Sequence, residues 1–348
     1  LILNKSFYQK MNLNINLIDL EENQINSFWE DFNEISLYCK NSHAVYSRDY
    51  YSYQKEYCIS NKTFIYDQSF IIKNNNIVEC AGLFFLNKNL DSKNLEINFG
   101  NNLPGILLIK EDVSSNSIRI LKEKICNLLE NSDKFIFTVP ISYKLNKAYE
   151  NIFNNFKFTQ NINWTKSICA DKRKELLWKN IRKSYKSPIN KGLKKQSFHI
   201  IDAFNLDREK FKTIQELHFD IAGRKTRSDK TWDLQYAAIK NDRGFALLSY
   251  DEETKGLNSA VYFFKSINHA YYTTGLYTEY AKRNLYGYSI IWKVILYCID
   301  RKISLCELDE NVKFNGINQI EKKLVDISFL KSGFGGDLSP RLIFSISK

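Results

Sequence analysis

Apolar and polar residues along this chain repeat with two different periods, and the periods predict strands and helices in succession. Residues 12–20 alternate apolar and polar side chains, a pattern typical of a half-buried strand. Residues 117–132 instead carry their apolar side chains on one helical face. Two apolar runs within 70–87 flank an Asn-Asn-Asn turn and predict a hairpin, and residues 134–142 predict a buried strand.

The second half of the chain continues the alternation in a more regular order. A helix over about 172–195 leads into a strand at 198–204. Further helices are predicted at 209–222, 231–241, 289–302 and around 317–324, and further strands at 244–251, 259–266, 268–278, 303–310 and 341–347. This order predicts an α/β fold with mixed central sheets flanked by helices.

The repeat of this order predicts two similar domains that meet near residues 165–175. We place the first at 1–168, where the pattern is looser, and the second at 169–348, which begins with a basic helix. With 348 residues and 44% hydrophobic content, the chain has enough apolar material for two packed cores.

Basic residues are concentrated in one segment, and this concentration has two possible interpretations. The chain has a formal net charge of +11, and residues 171–200 hold ten Lys or Arg against two acidic residues. One interpretation is a solvated helix face. The other is a binding site for phosphate-bearing partners, to which Lys and Arg supply charge and forked donors.

Cysteine and histidine spacing gives no indication of a metal site or a disulfide framework. The seven cysteines are widely spaced and include no C-x-x-C, and the four histidines are isolated in sequence. We therefore expect no metal, and small core cysteines in a reducing cytoplasm. No run of 18 apolar residues predicts a membrane span.

A strand, a loop and a helix over 271–292 offer one candidate ligand site. The loop NLYGYS at 284–289 is close to the Gln/Arg-x-x-Gly-x-Gly/Ala loop that holds coenzyme A pyrophosphate in GNAT-type acetyltransferases, although both end positions depart from it. Backbone N–H groups at a helix N-terminus attract anions. The cofactor candidates are Arg283, Asn284, Gly287 and Ser289; an ordinary turn is the alternative.

A second candidate is the basic loop that follows the helix at 209–222. Gly223 is well placed to end that helix, which explains the glycine. Four cations within seven residues then follow, and two of them, Arg224 and Arg227, suit bidentate recognition of phosphate or carboxylate.

The third candidate is FLKSGFGGDLSPRL at 329–342, where three of the 13 glycines fall within four positions. Its order lacks the Gly-x-x-x-x-Gly-Lys-Ser/Thr pattern of a phosphate-binding loop. Together with IRKSYKSPINKG at 181–192 and the strand–loop–helix that ends in SIIWKVI, it resembles the FemABX-type transferases, which are built from two GNAT-like domains. The resemblance is strongest over about 170–340.

This resemblance implies acyl transfer to an amine, from acyl-CoA or aminoacyl-tRNA as co-substrate and with no permanently bound cofactor. Arg182, Lys191 and Gly192 match the basic helix that enters the second domain in that family. Lys331 corresponds to the lysine of the late F-K-x-x-F motif, with one residue inserted before it. The implied acceptor is phosphate-bearing: a small molecule, a nucleotide sugar or a lipid-linked precursor of the cell envelope or peptidoglycan, reached by peripheral association with membrane-linked precursors.

The chemistry of acyl transfer assigns the remaining candidates. Lys331, held by a glycine turn and two phenylalanines, would stabilise the tetrahedral oxyanion or the donor phosphate; a surface lysine in a turn is the alternative. Tyr271 or Tyr272 would protonate a leaving thiolate or bind substrate. Asp309 or Glu310 would accept the amine proton. If the Cys306/Leu308 face of that strand is the buried one, Glu310 is favoured over Asp309.

Two alternatives remain at this point. The basic segment could belong to a non-catalytic nucleic-acid-binding module, whose binding would depend steeply on salt. A degenerate GNAT-fold protein that acts as a structural partner is the other.

Overall fold

A computed structural model of the chain describes residues 13–39, 43–91, 93–100, 103–139, 147–171, 173–310 and 322–348. The helices of this described part are α1 (Glu22–Tyr38), α2 (Arg48–Ser60), α3 (Ser115–Glu130), α4 (Lys147–Phe153), α5 (Lys174–Asn180), α6 (Lys183–Lys195), α7 (Arg208–Ala222), α8 (Asp229–Lys240), α9 (Glu279–Arg283), α10 (Gly287–Asp300) and α11 (Lys322–Ser332). Among them, none combines the length and the apolarity that crossing a membrane requires.

The strands are β1 (Leu13–Asn16), β2 (Phe64–Asp67), β3 (Phe70–Asn74), β4 (Ile77–Leu83), β5 (Phe85–Lys88), β6 (Leu95–Asn98), β7 (Gly105–Ile109), β8 (Lys134–Thr138), β9 (Thr159–Cys169), β10 (Gln196–Ile201), β11 (Gly244–Asp251), β12 (Leu257–Lys265), β13 (His269–Tyr277), β14 (Leu305–Glu310) and β15 (Asp337–Ser347). Parallel and antiparallel pairs both occur, so the predicted α/β class with mixed sheets and flanking helices is confirmed.

The chain forms two compact units, and each is assembled from separate stretches of the sequence. The first comprises residues 1–41, 57–162 and 341–348, and the second comprises 42–56 and 163–340. The contiguous domains 1–168 and 169–348 stay a prediction.

In the first unit, the strands follow the order β1-β3-β4-β7-β8-β15. In addition, β6 pairs with β8, β5 pairs with β6, and β2 pairs with β5. The predicted hairpin is the β3–β4 pair, and Asn75 and Asn76 take positive φ angles of 50° and 64° in its turn. Asparagine tolerates this left-handed conformation better than most residues. The predicted apolar face of α3 packs into the core through Ile118, Leu121, Ile125 and Leu128.

In the second unit, the strands follow the order β9-β14-β13-β12-β11-β10, and only β13 and β14 run parallel. Helix α10 connects these two strands and is almost entirely apolar, so the core surrounds it. Helix α7 ends at Gly223, whose φ of 64° shows the predicted left-handed cap.

Two predicted elements differ from the structure. The single helix predicted over 172–195 is two helices, because Ile181 takes an extended conformation and turns its side chain into the core. The Arg182 N–H then donates to the Gly333 carbonyl instead of continuing a helix. The helix predicted around 317–324 lies mostly outside the described residues, whereas the described α11 extends to Ser332.

Candidate active site

A cavity of 980 Å³ opens in the second unit where β13 and β14 separate. The two strands pair only from His269–Leu305 to Tyr271–Glu307. Beyond that point β13 contributes Tyr272, Gly275 and Tyr277 to the cavity wall, and β14 contributes Leu308 and Asp309. Helices α10 and α11 complete the wall through Ile291, Leu324, Ile327, Leu330 and Lys331.

Asp309 and Lys331 come together at this cavity. The Lys331 ammonium lies 3.4 Å from Asp309 Oδ2, and the Tyr271 hydroxyl donates to Asp309 Oδ1 at 3.1 Å. Two of the predicted catalytic residues are therefore in contact, although 22 positions separate them. The Tyr271 hydroxyl fixes one carboxylate oxygen and leaves the other directed at the lysine.

The backbone at Asp309 departs from the regular strand alternation on which the sequence expectation rests. Its φ is 68°, and the β14–β9 register is irregular between Glu307 and Glu310. Both faces of the strand are buried, since Glu307 is 3% exposed and Leu308 is 2% exposed. A left-handed residue at this point changes the direction of its side chain, so Asp309 reaches the cavity. The side chain of Glu310 lies outside the described part of the structure.

Lys331 lies in the last turn of α11 and not in the glycine turn itself. The glycines instead let the end of α11 pack closely against the rest of the unit. A Cβ on Gly333 would lie 1.9 Å from the Tyr185 ring, and one on Gly336 would lie 2.3 Å from the Ser167 carbonyl oxygen. The phenylalanines differ as well, because Phe334 is buried and Phe329 is 54% exposed.

Arg182, a predicted substrate-binding residue, contacts α11 directly. Its guanidinium lies 3.9 Å from the centroid of the Phe329 ring and donates to the Tyr185 hydroxyl at 3.2 Å. The Tyr185 hydroxyl in turn donates to the Phe329 carbonyl. This stack of side chains holds the end of α11, and with it Lys331, against the start of α6.

The two adjacent tyrosines of β13 lie in different surroundings. Tyr271 reaches Asp309, whereas Tyr272 lines the cavity with Tyr277, to which it is hydrogen-bonded. Burial raises the pKa of Tyr277 to about 12 and that of Tyr272 well above its usual value. The Tyr272 hydroxyl occupies the space of a Cβ at Gly275, which explains this glycine within a strand.

The predicted coenzyme A loop at the start of α10 is in contact with α6. Ser289 is fully buried, with its hydroxyl 2.7 Å from Gln196 Oε1, and a Cβ on Gly192 would lie 2.3 Å from that hydroxyl. Lys191 donates to the Asn284 side chain at 3.2 Å. Arg283 is exposed, and Gly287 lies against the Tyr277 ring.

A second cleft, of 460 Å³, lies between α7 and α8 and contains Arg224 and Arg227. Arg224 is exposed, but Arg227 is only 6% exposed, and its guanidinium lies 3.5 Å from the centroid of the Trp232 ring. Its Nη1 donates to the Tyr53 hydroxyl, while Nε and Nη2 have no hydrogen-bond partner among the described residues. Both nitrogens are buried, and burying a cation with unpaired donors is costly.

A third group consists of His43, His269 and Glu307, which are too far apart along the chain for any sequence pattern to connect them. Both Nε2 atoms lie 3.0 Å from Glu307 Oε2, and the three ligand atoms could surround a metal ion. Each Nδ1, however, accepts a backbone N–H, from Val45 and Ala44 respectively. This places the ring proton on Nε2, directed at the carboxylate, whereas metal-bound histidines usually donate through the other nitrogen. The donor set therefore fits a hydrogen-bonded cluster better than a metal centre.

Comparison with known proteins gives a fold and no close relative. No family model matches the sequence, and no curated protein matches it. Among solved structures, FemX superposes with a TM-score of 0.62 at 11% identity, over 91% of this chain and 96% of FemX. L-PGS from Bacillus licheniformis superposes with a TM-score of 0.53 at 9% identity, over 90% of each chain.

A similar match is the C-terminal DUF2156 domain of the protein named as the lysylphosphatidylglycerol synthetase of Agrobacterium fabrum. Its TM-score is 0.57 at 6% identity, over 92% of this chain and 91% of that domain. At these identities the matches establish a shared fold, and they confirm at that level the FemABX-type resemblance read from the sequence.

Proposed function

We propose that this chain, which has the fold of FemX, transfers an acyl or aminoacyl group to an amine of a cell-envelope precursor or a surface-glycan sugar. The observation that carries the proposal is the contact between Asp309 and Lys331 at the cavity where β13 and β14 separate. A carboxylate and an ammonium beside an open cavity are the two groups that amide formation needs.

The reaction joins the acceptor nitrogen to the carbonyl carbon of the donor. Asp309 accepts a proton from the amine as the C–N bond forms, and returns it to the leaving oxygen or sulfur as the ester or thioester bond breaks. The Tyr271 hydroxyl, which donates to Asp309 Oδ1, orients the carboxylate for this exchange.

Lys331 stabilises the negative charge on the carbonyl oxygen of the tetrahedral intermediate. Its side chain is 12% exposed, so water screens the charge only in part. Arg182 acts through the packing of α11 and does not itself touch the reacting atoms in this proposal.

The cleft that contains Arg227 binds an anionic part of the acceptor. A guanidinium that lines this cleft suits a phosphate or carboxylate group, such as those of nucleotide sugars and lipid-linked precursors. Arg224, at the exposed side of the same cleft, adds positive charge.

Two donor classes remain in the proposal, acyl-CoA and aminoacyl-tRNA, and both are found in the cytoplasm, where we set the reaction. The basic residues of α5 and α6 supply charge for the phosphates of either donor. The packing of α6 on Ser289 leaves less room for pyrophosphate at the start of α10 than the sequence pattern implied.

Incubation with labelled acyl-CoA or charged tRNA and a panel of amine acceptors tests the proposal. We expect Lys331→Ala and Asp309→Asn to lower the transfer rate by about 100- to 1,000-fold. Lys265→Ala is the matched control, because Lys265 is similarly buried and pairs with Asp242 away from the cavity. Transfer from neither donor, or full activity in Lys331→Ala, would refute the proposal.

A further inference from the structure

The cavity at Asp309 and Lys331 is far larger than an acetyl or aminoacyl group requires. Its 980 Å³ lies at the upper end of the range for cavities that enclose whole drug-sized ligands. Most of the described side chains that line it are apolar or aromatic, namely Ile221, Tyr272, Tyr277, Ile291, Leu308, Leu324, Ile327, Leu330 and Phe334.

The two tyrosine hydroxyls of the aromatic part of the wall interact with each other. Tyr272 and Tyr277 are hydrogen-bonded to each other, so they offer ring surface to a ligand. The Asp309–Lys331 pair is a polar group beside this apolar wall. A ligand that matches this wall has one polar reacting group and a long apolar chain.

The apolar surface continues out of the cavity along α7 and α11. Ile221, Leu324 and Ile327 line the cavity and are 44%, 41% and 37% exposed. Apolar side chains that line a cavity and also meet water provide a route by which a chain can enter. Lys322 and Asp326 on α11 and Lys282 on α9, which is paired with Glu279, lie beside this route.

We infer that the cavity binds the fatty chain of a long-chain acyl donor, with the acyl carbonyl at Lys331. This inference rests on the proposed transfer reaction and specifies its donor. A short acyl group would leave most of the apolar wall in contact with water, whereas an alkyl chain buries it.

Displacement of a fluorescent fatty acid, cis-parinaric acid, by saturated fatty acids of 6 to 16 carbons tests the binding without any transfer. Burial contributes about 0.8 kcal/mol per CH₂, so we expect affinity to rise about fourfold with each added carbon until the cavity is filled. An affinity that does not change with chain length would overturn the inference.

Two variants on separate helices and one control link this binding to the cavity. Ile327→Asp on α11 and Ile221→Asp on α7 place a charge beside the chain, and each should weaken binding at least tenfold. Both sites are partly exposed, so the fold should tolerate the substitutions, and thermal unfolding checks this. The control is Ile267→Asp, which changes a 76% exposed isoleucine that does not line the cavity. Wild-type affinity in both cavity variants would overturn the inference.

Transfer assays with the same protein separate this inference from the proposed function. Transfer of palmitoyl in preference to acetyl or aminoacyl groups supports both. Fatty-acid binding without transfer from any donor would refute the proposed function but would not contradict the inferred fatty-chain site. Transfer of acetyl or aminoacyl groups with no preference for long chains would refute the inference but would still support the proposed transfer reaction. A long chain required on the amine and not on the donor would also refute it.

Discussion

Gly333 should control the position of Lys331, and the structure gives the size of the effect. An added Cβ would lie 1.9 Å from the Tyr185 ring, where van der Waals contact requires about 3.4 Å. The ring cannot move aside easily, because it packs edge-on against Tyr288 and Phe334 and its hydroxyl donates to the Phe329 carbonyl. The end of α11 must therefore shift by roughly 1.5 Å in a Gly333→Ala variant.

Such a shift should affect both activity and stability. A misplacement of about 1 Å can cost about 100-fold in rate, so we expect at least that loss of transfer, together with about 1–3 kcal/mol of the free energy of unfolding from overpacking. Transfer assays and urea unfolding measure the two effects. A Tyr185→Leu change, which removes the clashing ring, should restore part of the stability of Gly333→Ala.

Two other glycines serve as controls for this variant. Gly256→Ala would meet only the Thr254 hydroxyl at 3.4 Å, so activity and stability should stay at wild-type values. In Gly223→Ala the added Cβ would meet no atom within 4 Å, but φ at this position is positive. We therefore expect the free energy of unfolding to fall by about 1 kcal/mol and the transfer activity to stay unchanged. If Gly333→Ala behaved like Gly256→Ala, the packing argument for Lys331 would be wrong.

Three further predictions concern the other polar groups of the second unit. Arg227→Met should keep the stacking on Trp232 and the wild-type stability but weaken binding of inorganic pyrophosphate at least tenfold in calorimetry, and unchanged binding would contradict the assignment of its cleft. Glu307→Leu should lower the free energy of unfolding by about 2–4 kcal/mol, because one buried and one partly buried imidazole N–H lose their acceptor, whereas Glu307→Gln, which keeps one oxygen, should lose less in the same urea titration. Tyr277 has its pKa raised from 10.0 to about 12, so between these pH values the folded chain retains a proton that the unfolded chain has lost. Stability should therefore fall as pH rises from 10 to 12, and Tyr277→Phe should show a shallower fall.

Individual residues show which features local sequence could predict. The hairpin at Asn75 and Asn76 and the helix end at Gly223 were predicted because a positive φ favours Asn and Gly whatever surrounds them. The break between α5 and α6 was missed, since it depends on the burial of Ile181 and on a hydrogen bond from Arg182 to the distant Gly333. The buried state of Arg227 was also beyond local pattern, because it depends on packing against Trp232 and on the hydrogen bond to the distant Tyr53.

The same distinction between local pattern and tertiary contact applies to the residues of the candidate site. The sequence proposed Asp309, Tyr271 and Lys331 separately, and the FemABX-type resemblance supplied the lysine. The sequence could not show that the Tyr271 hydroxyl and the Lys331 ammonium contact different oxygens of the Asp309 carboxylate. Strand alternation, taken alone, favoured Glu310 over Asp309, and the side chain of Glu310 lies outside the described residues.

By itself, the sequence determined the α/β class, the succession of helices and strands, and several of their ends, because periods of two and 3.6 residues reflect which side chains can be buried together within one element. Only the tertiary structure decided which residues meet. The packing of the short segment that precedes α2 brings His43 to His269 and Glu307 across more than 200 positions, and the separation of β13 from β14 opens the cavity. Contacts of this kind depend on how whole elements pack, and no local pattern of side chains records that.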